Sequence, residues 1–502
     1  MGAGFWRAAV FAALFVPSVA GAQDVTLIAR EGGLEIPGLL QGYDGEFYRI
    51  ESVYGLLTVD AAGVICDGPA CPDLTAPRAR VRIVGLAGVG ESLLPPLMRA
   101  FAEARGLTYA EGGSGGYSAI VTDPQSGKPL ADISFAGVSP DLARAELMAG
   151  RAEMILSAAT EPDMGSRVLA LDAMVPVVAP DNPLPQISTG NLARVLAGEV
   201  ANWAEIGGPD MPLVLHGMAA DAALQRALAS RLGRDVAASV VHDDIAALGS
   251  AVQRDPWAVA MTVRAGVQGA RVLPLTDSCG FPLLASALAV KAEDYPLSLP
   301  MYLLTPKRRL PLFVREFLTF LETPQAQAVV AAAGWIDRQP ERQPLTGDGL
   351  RLINAIQGAG EETTLADLKR LANAMDGAER LSLTFRFQDG SSQLDAHSRN
   401  NLEDLARLIE VGVFRNQALV LAGFSDGTGA AAANLALSQS RAEGVLAGLA
   451  QAGVAQSNLP QVIAFGEAMP MACDETHAGR RLNRRVEVWM KPMFTDSRPS
   501  GN

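Results

Sequence analysis

Two residues of this sequence, Asp426 and Arg441, have types and a spacing suited to binding a ligand that carries both charges. Asp426 lies in a glycine-rich turn, Gly423-Phe-Ser-Asp-Gly-Thr-Gly429, and Arg441 follows 15 residues later. Apolar residues at helical spacing accompany the arginine: Leu435, Leu437, Val445, Leu446 and Leu449. A turn that leads into a helix brings the acid and the arginine onto one surface.

A second block near the C-terminus repeats this combination of glycine and charge. It contains Gly466-Glu467 and then Gly479-Arg480-Arg481-Leu482-Asn483-Arg484-Arg485-Val486-Glu487-Val488. Together the two blocks resemble the OmpA-like C-terminal domain over residues 380–492. The resemblance implies a βαβ-type fold that binds peptidoglycan through the diaminopimelate of its stem peptide.

Diaminopimelate carries an ammonium and a carboxylate on one carbon, so its site needs an acid and an arginine at a fixed separation. The resemblance assigns the ammonium to Asp426 and the carboxylate to Arg441, whose planar guanidinium binds carboxylates bidentately. Asn434, Leu437 and Asn483 match family positions that support the pair. Arg484 completes the predicted peptidoglycan-binding set, as one of four arginines that either steer an acidic glycan or flank the final strand. Taken singly, Asp426 is equally typical of a turn acid, and Arg441 of a solvated helix residue.

Length, charge and the N-terminal sequence limit the domain number, the partners and the location of the protein. With 502 residues the chain is long enough for about three domains, and its net charge of −13 argues against nucleic acid as a partner. Residues 1–22 carry Arg7, an apolar run from Ala8 to Val19 and a small-residue site ending at Ala22, which predicts a signal peptide. The alternative is an N-terminal membrane anchor, but the apolar run is shorter than a membrane span.

Four cysteines are consistent with an oxidising compartment. Cys66 and Cys71 flank a four-residue turn and form a candidate disulfide. Cys279 and Cys473 either pair or stay free, and the sequence leaves both possibilities open. The predicted location is the periplasm, with non-covalent attachment to the cell wall or outer membrane.

The remaining sequence predicts an α/β and α+β multidomain protein. Short strands at 23–76 predict a small antiparallel β domain. Alternating strands and helices at 78–338 predict an α/β domain with mostly parallel sheets. Residues 339–379 are interpreted as a helical linker, and residues 493–502 as a tail.

The segment 78–338 resembles type II periplasmic solute-binding proteins, most closely the phosphate-binding branch. The resemblance rests on Gly112-Gly-Ser114-Gly-Gly-Tyr117, Leu169-Ala-Leu-Asp172, the stretch 196–210 and Tyr295-Pro-Leu-Ser-Leu-Pro-Met-Tyr302. It implies two lobes around a solute cleft, with the second lobe at about 176–282. The crossings are expected near Ala173–Val177 and Leu283–Leu288.

Local patterns in this segment predict a turn at Gly85–Gly90, a helix at Glu91–Ala104 and a strand at Ser286–Val290. The candidate cleft residues are Gly88, Gly90, Ser114 and Gly115. The glycines are also typical of a tight strand-to-helix connection.

Several residues that would bind phosphate in this family are replaced here. Leu86 and Ala87 occupy the loop where the family has hydroxyls. The stretch His216-Gly-Met-Ala-Ala-Asp221-Ala-Ala, where the family has an arginine followed by Ser-Gly-Thr, contains neither an arginine nor a hydroxyl. Losing three or four charge-assisted hydrogen bonds costs more than about 5 kcal/mol of binding free energy. We therefore expect an altered small solute or an envelope-protein contact in the cleft. The alternatives are a phosphate or other solute receptor of an ABC-type uptake system and a structural scaffold with a protein partner.

Metal binding and catalysis have little support. The four histidines are scattered along the chain without ligand spacing, and no motif places a nucleophile beside a base. The sequence predicts a non-catalytic protein without a cofactor or metal.

Overall fold

The computed structural model describes residues 24–29, 32–43, 47–71, 78–112, 116–357, 359, 362–388 and 390–492. The predicted signal peptide, the tail at 493–502, Ser114 and Gly115 lie outside these residues. The chain divides into two compact units, Met1–Ala79 with Leu310–Phe320, and Arg80–Arg309 with Leu321–Asn502. Among the described residues, no helix combines the length and the hydropathy that a membrane crossing demands.

The first unit contains an antiparallel five-stranded sheet of order β4-β3-β2-β1-β5. Its strands are β1 (Val25–Ala29), β2 (Glu35–Tyr43), β3 (Phe47–Ser52), β4 (Gly55–Asp60) and β5 (Val64–Asp67). Alternate residues of the strands build the core, with Leu27, Leu40 and Ile50 fully buried. The predicted Cys66–Cys71 disulfide is confirmed.

A helical segment, Leu312–Phe320, belongs to this first unit. The sequence analysis placed it in the solute-binding-like segment. In the structure the backbone N–H of Tyr43 donates to Glu316 Oε1 at 2.8 Å, and Arg315 donates to the Leu40 carbonyl at 3.1 Å and lies 3.3 Å from Asp24. These bonds, formed across more than 270 residues of chain, attach the helix to the small sheet.

The segment from residue 79 to 332 alternates strands and helices. Its elements are β6 (Ala79–Gly85), α1 (Ala87–Ala104), β7 (Thr108–Glu111), β8 (Ser118–Thr122), β9 (Pro129–Gly137), α2 (Pro140–Met148), β10 (Met154–Ser157), β11 (Gly165–Val178), β12 (Ile187–Ser188), α3 (Thr189–Leu196), β13 (Val214–Met218), α4 (Ala223–Leu232), β14 (Val240–His242), α5 (Ile245–Arg254), β15 (Ala258–Val263), β16 (Arg271–Val272), β17 (Leu275–Thr276), β18 (Pro282–Leu283), α6 (Ala287–Lys291), β19 (Ser298–Thr305), α7 (Leu312–Phe320) and α8 (Pro324–Ala332).

One long strand, β11, joins two parts of the main sheet. Its first residues pair with β19 as far as Ala173, and from Met174 onward it pairs with β15. We call β6–β10, the first part of β11 (residues 165–173) and β19, with α1, α2 and α8, the first lobe. We call β12–β18 with α3–α5 the second lobe. The sheet order is β14-β13-β15-β11-β19-β10-β6-β9-β8-β7. The predicted crossing near Ala173–Val177 is confirmed as the point where β11 changes partner.

The prediction of mostly parallel sheets is wrong, because the main sheet is mixed. β6 runs parallel to β10 and β13 runs parallel to β15, whereas β11 and β10 are both antiparallel to β19. The adjacent central strands β11 and β19 run in opposite directions, so a sheet that contains both is mixed.

Two local predictions are also corrected. The predicted turn at Gly85–Gly90 ends early, since α1 begins at Ala87 and includes Gly88 and Gly90. The predicted strand at Ser286–Val290 is instead the start of α6, where Ser286 Oγ accepts a hydrogen bond from the Ala289 N–H at 3.1 Å. Such an N-cap satisfies a free helix amide and outweighs the β preference of a short apolar run.

The C-terminal segment forms a five-stranded sheet of order β20-β21-β24-β22-β23. Its elements are β20 (Arg342–Pro344), α9 (Gly349–Gln357), α10 (Leu365–Met375), β21 (Glu379–Arg386), α11 (Ala396–Glu410), β22 (Gln417–Phe424), α12 (Ala431–Gln451), β23 (Gln461–Ala464), α13 (His477–Asn483) and β24 (Arg485–Pro492). β22 is parallel to β23, and the other described pairs are antiparallel. We call residues 339–492 the C-terminal domain.

Both faces of this sheet are covered. Leu419 and Leu421 pack with α11 and α12 on one face, while the alternate residues Val420 and Phe424 pack with α10 on the other. The region 339–379 therefore contributes an edge strand and the second helical layer of the sheet. This corrects its interpretation as a linker between two domains.

A buried carboxylate, Glu487, connects the elements of this second face. Its Oε1 accepts from Arg351 of α9 at 2.5 Å and from Arg485 at 2.6 Å, and its Oε2 accepts from Trp489 Nε1 at 2.9 Å. Arg380 of β21 lies 3.7 Å from Oε2. Burial raises the pKa of Glu487, but the three arginines outweigh it and place that pKa well below the usual range. The carboxylate is therefore charged.

The C-terminal domain contacts both lobes. Toward the first lobe, Asn400 Oδ1 accepts from the Val168 N–H at 2.8 Å, and Arg338 forms an ion pair with Asp404. Toward the second lobe, a Cys279–Cys473 disulfide answers the question of pairing that the sequence left open. Next to it, the Cys473 N–H donates to Asp277 Oδ2 at 2.7 Å.

A buried ion network attaches the same domain to the residues that follow α6. Arg386 donates to the Glu293 carbonyl at 2.8 Å and lies 3.3 Å from Asp294, and Arg380 lies 2.7 Å from Asp294. His397 forms a hydrogen-bonded ion pair with the Glu293 carboxylate. Burial opposes both charged forms, yet His397 and Arg386 lower the pKa of Glu293 to about 2, and Glu293 raises the pKa of His397.

Replacing Glu487 by glutamine leaves three arginines close together without a carboxylate. We expect Glu487→Gln to lower the free energy of unfolding by about 3–5 kcal/mol, as for other broken buried ion pairs. Urea denaturation measures it. Glu410→Gln, at an exposed position of the same domain, is the matched control and should change the stability by less than about 0.5 kcal/mol. A loss below about 1 kcal/mol for Glu487→Gln would contradict the assigned role.

The Glu293–His397 pair predicts a pH window of stability. A lowered carboxylate pKa stabilises the fold above its unfolded value of 4.5, and that contribution is lost as the pH falls toward about 2. A raised histidine pKa stabilises the fold below its unfolded value of 6.5, and that contribution is lost as the pH rises through the folded value. The melting temperature of His397→Gln should therefore fall furthest below wild type between pH 4.5 and 6.5. A difference that grows toward alkaline pH would contradict this assignment.

Candidate functional site

Asp426 lies in the turn between β22 and α12, with 13% of its side chain exposed. Its Oδ1 accepts from the Thr428 N–H at 3.1 Å, and its Oδ2 accepts from Arg484 Nη1 at 3.1 Å. Burial raises the pKa of Asp426, but the bonds from Arg484 and Thr428 outweigh it, so that pKa lies below the usual value. The acid is therefore charged and oriented by the turn itself.

Arg441 lies on α12 and is buried, with its guanidinium over the ring of Phe387 at 5.4 Å. Its Nε and Nη1 atoms have no hydrogen-bond partner among the described residues. Burial and the nearby Arg484 lower the pKa of Arg441, whereas Asp426 raises it. A buried cation whose donors are unsatisfied is costly, and a ligand carboxylate would supply the missing acceptors.

The structure changes the relation between the predicted charges. Arg484, predicted as part of the binding set, is the ion-pair partner of Asp426. Within the part of the chain that the structure describes, Asp426 and Arg441 form no direct ion pair with each other. The site thus presents an acid that is already partly neutralised beside an arginine that lacks an acceptor.

Three further acids lie around the start of α12, and the predicted set did not include them. Glu362 accepts from the Ala431 N–H at 3.0 Å, and Glu467 accepts from Asn434 Nδ2 at 2.7 Å. Asp474 accepts from the Gly427 N–H at 2.7 Å. The Gly466-Glu467 block was a signal for Glu467, but nothing local in the sequence indicated the other two. These acids make the turn side of the site negative, opposite the cationic Arg441.

The two predicted asparagines hold acids of the site in place through hydrogen bonds. Asn483 is 1% exposed, and its Oδ1 accepts from the N–H groups of Met471 and Ala472 at 2.6 and 3.1 Å. Its Nδ2 donates at 2.7 Å to the Ala472 carbonyl and to Asp474. With these four bonds made, Asn483 positions Asp474, just as Asn434 positions Glu467.

The candidate solute-cleft glycines lie at the start of α1. A methyl group added at Gly90 would lie 2.1 Å from the ring of Phe135, whereas Gly88 has open space around it. The Leu86 N–H at this helix end already donates to the Leu156 carbonyl at 3.1 Å. Gly90 is therefore required for packing against Phe135, and this accounts for one of the two glycines without a ligand.

The histidines are less scattered than their positions in the sequence indicate. His216 Nδ1 and His242 Nε2 lie 2.9 Å apart on the adjacent parallel strands β13 and β14. Burial and the second ring lower the pKa of His216. In the described part of the chain, the atoms of Cys279, Cys473 and Glu475 lie close enough together to resemble a metal ligand set. The two sulfur atoms are joined in a disulfide and are not thiolates.

Two protein-family profiles match separate segments of the chain. The profile of the PBP superfamily domain matches residues 75–325, half of the chain. The chain belongs to the PBP superfamily. Its C-terminal end carries an OmpA-family domain, matched at residues 386–484.

Relatives of the OmpA-family domain include two bacterial lipoproteins. The chain is 32% identical over 107 residues to the probable lipoprotein YiaD of Escherichia coli, covering 21% of this chain and 48% of the relative. It is 36% identical over 103 residues to the outer-membrane lipoprotein YfiB of Pseudomonas aeruginosa, covering 20% and 59%. The chain thus spans less than two thirds of the length of each.

Among solved structures, the PBP-superfamily domain is similar to an ABC-type phosphate transport receptor from Vibrio cholerae. The identity is 17% and the TM-score is 0.41, covering 51% of this chain and 99% of the receptor.

Proposed function

We propose that this chain is a non-catalytic protein of the cell envelope that binds peptidoglycan through the Asp426–Arg441 site and carries a PBP-superfamily module. The observation that supports this most directly is the buried Arg441, whose Nε and Nη1 lack acceptors beside a cluster of acids. A site of this kind requires a ligand with a carboxylate and an ammonium close together.

The diaminopimelate of the stem peptide has this arrangement on one carbon. Its carboxylate would accept charge-assisted bonds from Arg441, and its ammonium would approach Asp426, sharing that carboxylate with Arg484. Glu467 and Asp474 add negative charge on the ammonium side. These groups recognise and hold a charged ligand, which is the chemistry of binding and not of bond cleavage.

The proposed location is the periplasm, with non-covalent attachment to the cell wall or outer membrane. The names of the two lipoprotein relatives support an envelope setting. All four cysteines are paired in disulfides, which supports an oxidising compartment. The bound wall would hold the PBP-superfamily domain in place, and that domain would contact a small solute or an envelope protein.

Binding to isolated sacculi tests the proposed site. Asp426→Asn and Arg441→Met should each weaken the binding by about 10- to 150-fold, the loss of one charge-assisted hydrogen bond. Free diaminopimelate should compete with the sacculi, whereas cadaverine, which keeps both amino groups but lacks both carboxylates, should compete poorly. Co-sedimentation of the protein lacking residues 1–22 measures both effects.

Matched controls lie elsewhere in the same domain. Arg415, before the start of β22, and Glu410, at the end of α11, are exposed charges away from the turn that follows β22. Arg415→Met and Glu410→Gln should sediment with sacculi as wild type does. Wild-type binding by both Asp426→Asn and Arg441→Met would refute the proposal.

A second candidate is a receptor for phosphate or another small solute of an ABC-type uptake system, and the PBP-superfamily match favours it. Phosphate binding is disfavoured by the missing ligands at Leu86, at Ala87 and in the stretch 216–223. The bonds from the C-terminal domain to both lobes also restrict the hinge closure by which such receptors enclose a ligand. A scaffold with a protein partner in the cleft is the third reading.

Calorimetry with inorganic phosphate separates these candidates. We expect the protein lacking residues 1–22 to bind phosphate more weakly than about 1 µM, because the charge-assisted bonds that the family uses are absent. Titration at low ionic strength, with sulfate as the control anion, measures this. Selective binding tighter than about 1 µM would favour the receptor instead.

A further inference from the structure

A cavity of about 730 Å³ lies where the two lobes meet the C-terminal domain. It is lined by Thr160 of the first lobe, Arg231 of the second lobe, Tyr295 before β19, Ser298 at the start of β19, and Arg481 of α13. Its volume is in the range of pockets that bind small organic molecules and far exceeds that of a single inorganic ion. Its described lining includes none of the proposed peptidoglycan-site residues and neither Gly88 nor Gly90 of the candidate solute cleft.

The first observation that favours an anion in this cavity is the incomplete pairing of Arg231. It lies at the C-terminal end of α4, its side chain is exposed to the cavity, and one Nη2 hydrogen bond joins it to the Ser298 carbonyl at 2.8 Å. Among the described residues it has no acidic partner. Glu293, the acid closest to it after α6, forms ion pairs with His397 and Arg386.

A second arginine, Arg481, enters the cavity from the opposite wall. Its side chain is 52% exposed, and its nearest acid oxygen is Asp395 Oδ2 at 3.6 Å, which is beyond hydrogen-bond length. Asp395 uses its other oxygen to cap α11, accepting from the Ser398 N–H at 2.8 Å. Burial and then the nearby charge of Arg481 lower the pKa of Arg231. An anion between the two arginines would relieve their repulsion.

The rest of the lining is mostly apolar. Leu192 and Leu196 of α3, Leu228 of α4, and Pro296, Leu297 and Pro300 near β19 share the cavity with the arginines. The acids that reach the cavity, Glu293 and Asp395, are opposed by Arg386, His397, Arg231 and Arg481, so cations exceed acids. An apolar chamber with two incompletely paired arginines suits a molecule with one anionic head and an apolar body.

We propose that this cavity binds a small organic anion, with its carboxylate or phosphate monoester on Arg231 and Arg481 and its apolar body against α3. The site is composite, because its walls come from both lobes and from the C-terminal domain. It is separate in its residues from the peptidoglycan site, although α13 contributes Arg481 here and is followed directly by Arg484 there.

Calorimetry on the protein lacking residues 1–22 tests the proposal with three probes of equal chain length: octanoate, octyl phosphate and 1-octanol. Octanoate or octyl phosphate should bind at least tenfold more tightly than octanol, and the tighter of the two identifies the head group. Octanol binding as tightly as both anions would overturn the proposal, as would no heat of binding from either anion.

Two arginines of α4 provide a matched pair of variants. Arg231→Met should weaken binding of the preferred anion at least tenfold. Arg226→Met should leave the anion affinity unchanged, because Arg226 is paired with Asp141 at 3.3 Å and does not line the cavity.

Arg481→Gln should also weaken binding of the preferred anion, and this variant tests the proposal if Arg231→Met fails to fold. Wild-type affinity in Arg481→Gln and in a folded Arg231→Met would overturn the proposal. Sacculus binding by Arg231→Met should equal wild type, so the two proposals fail separately.

Discussion

The structure of the C-terminal domain depends on one buried charge, the carboxylate of Glu487. A carboxylate without solvent is tolerated only where cations and hydrogen-bond donors surround it, and here they come from separate segments: Arg351 from α9, Arg380 from β21, and Arg485 and Trp489 from β24. Arg380 also pairs with Asp294, outside the domain. The requirement to neutralise one acid therefore brings residues 339–379 onto the sheet and extends the buried network to Asp294, which follows α6 of the PBP-superfamily domain.

This arrangement affects how an anchored protein would behave. Cys473, joined to Cys279 of the second lobe, directly precedes Asp474, and Asp474 fixes the Gly427 amide next to Asp426. Asn400 meanwhile bonds to Val168 of the first lobe. The proposed peptidoglycan site is thus built on a domain that is attached to both lobes, and not on a module at the end of a flexible tether. Wall binding would then fix the orientation of the lobes as well as their location.

The sequence predicted those features that short-range patterns control. The spacing of Asp426 and Arg441 placed an acid in a turn and an arginine on the following helix, and alternation correctly indicated strands such as β13 and β15. It missed what depends on distant partners. Arg351 and Glu487 are 136 residues apart in the chain, and Arg484 and Asp426, which form an ion pair, are 58 residues apart. The error at Ser286 is different in kind, because a single N-cap hydrogen bond there decided between a helix and a strand of similar apolar content.

Two arginines, the buried Arg441 and the exposed Arg231, differ from the buried arginines of this chain that meet carboxylates. Arg380, Arg386 and Arg485 each meet at least one carboxylate inside the protein. Arg441 has unsatisfied donors, and Arg231 has a single carbonyl acceptor. Burying a guanidinium without an acid lowers stability, so folding alone does not favour the position of Arg441. Arg231 lines a cavity that an anion from outside the chain would fit, and Arg441 has buried donors whose missing acceptor a ligand carboxylate would supply. The same physical reasoning therefore supports both proposed sites, one for an amino-acid-like group of the cell wall and one for a smaller, more apolar anion.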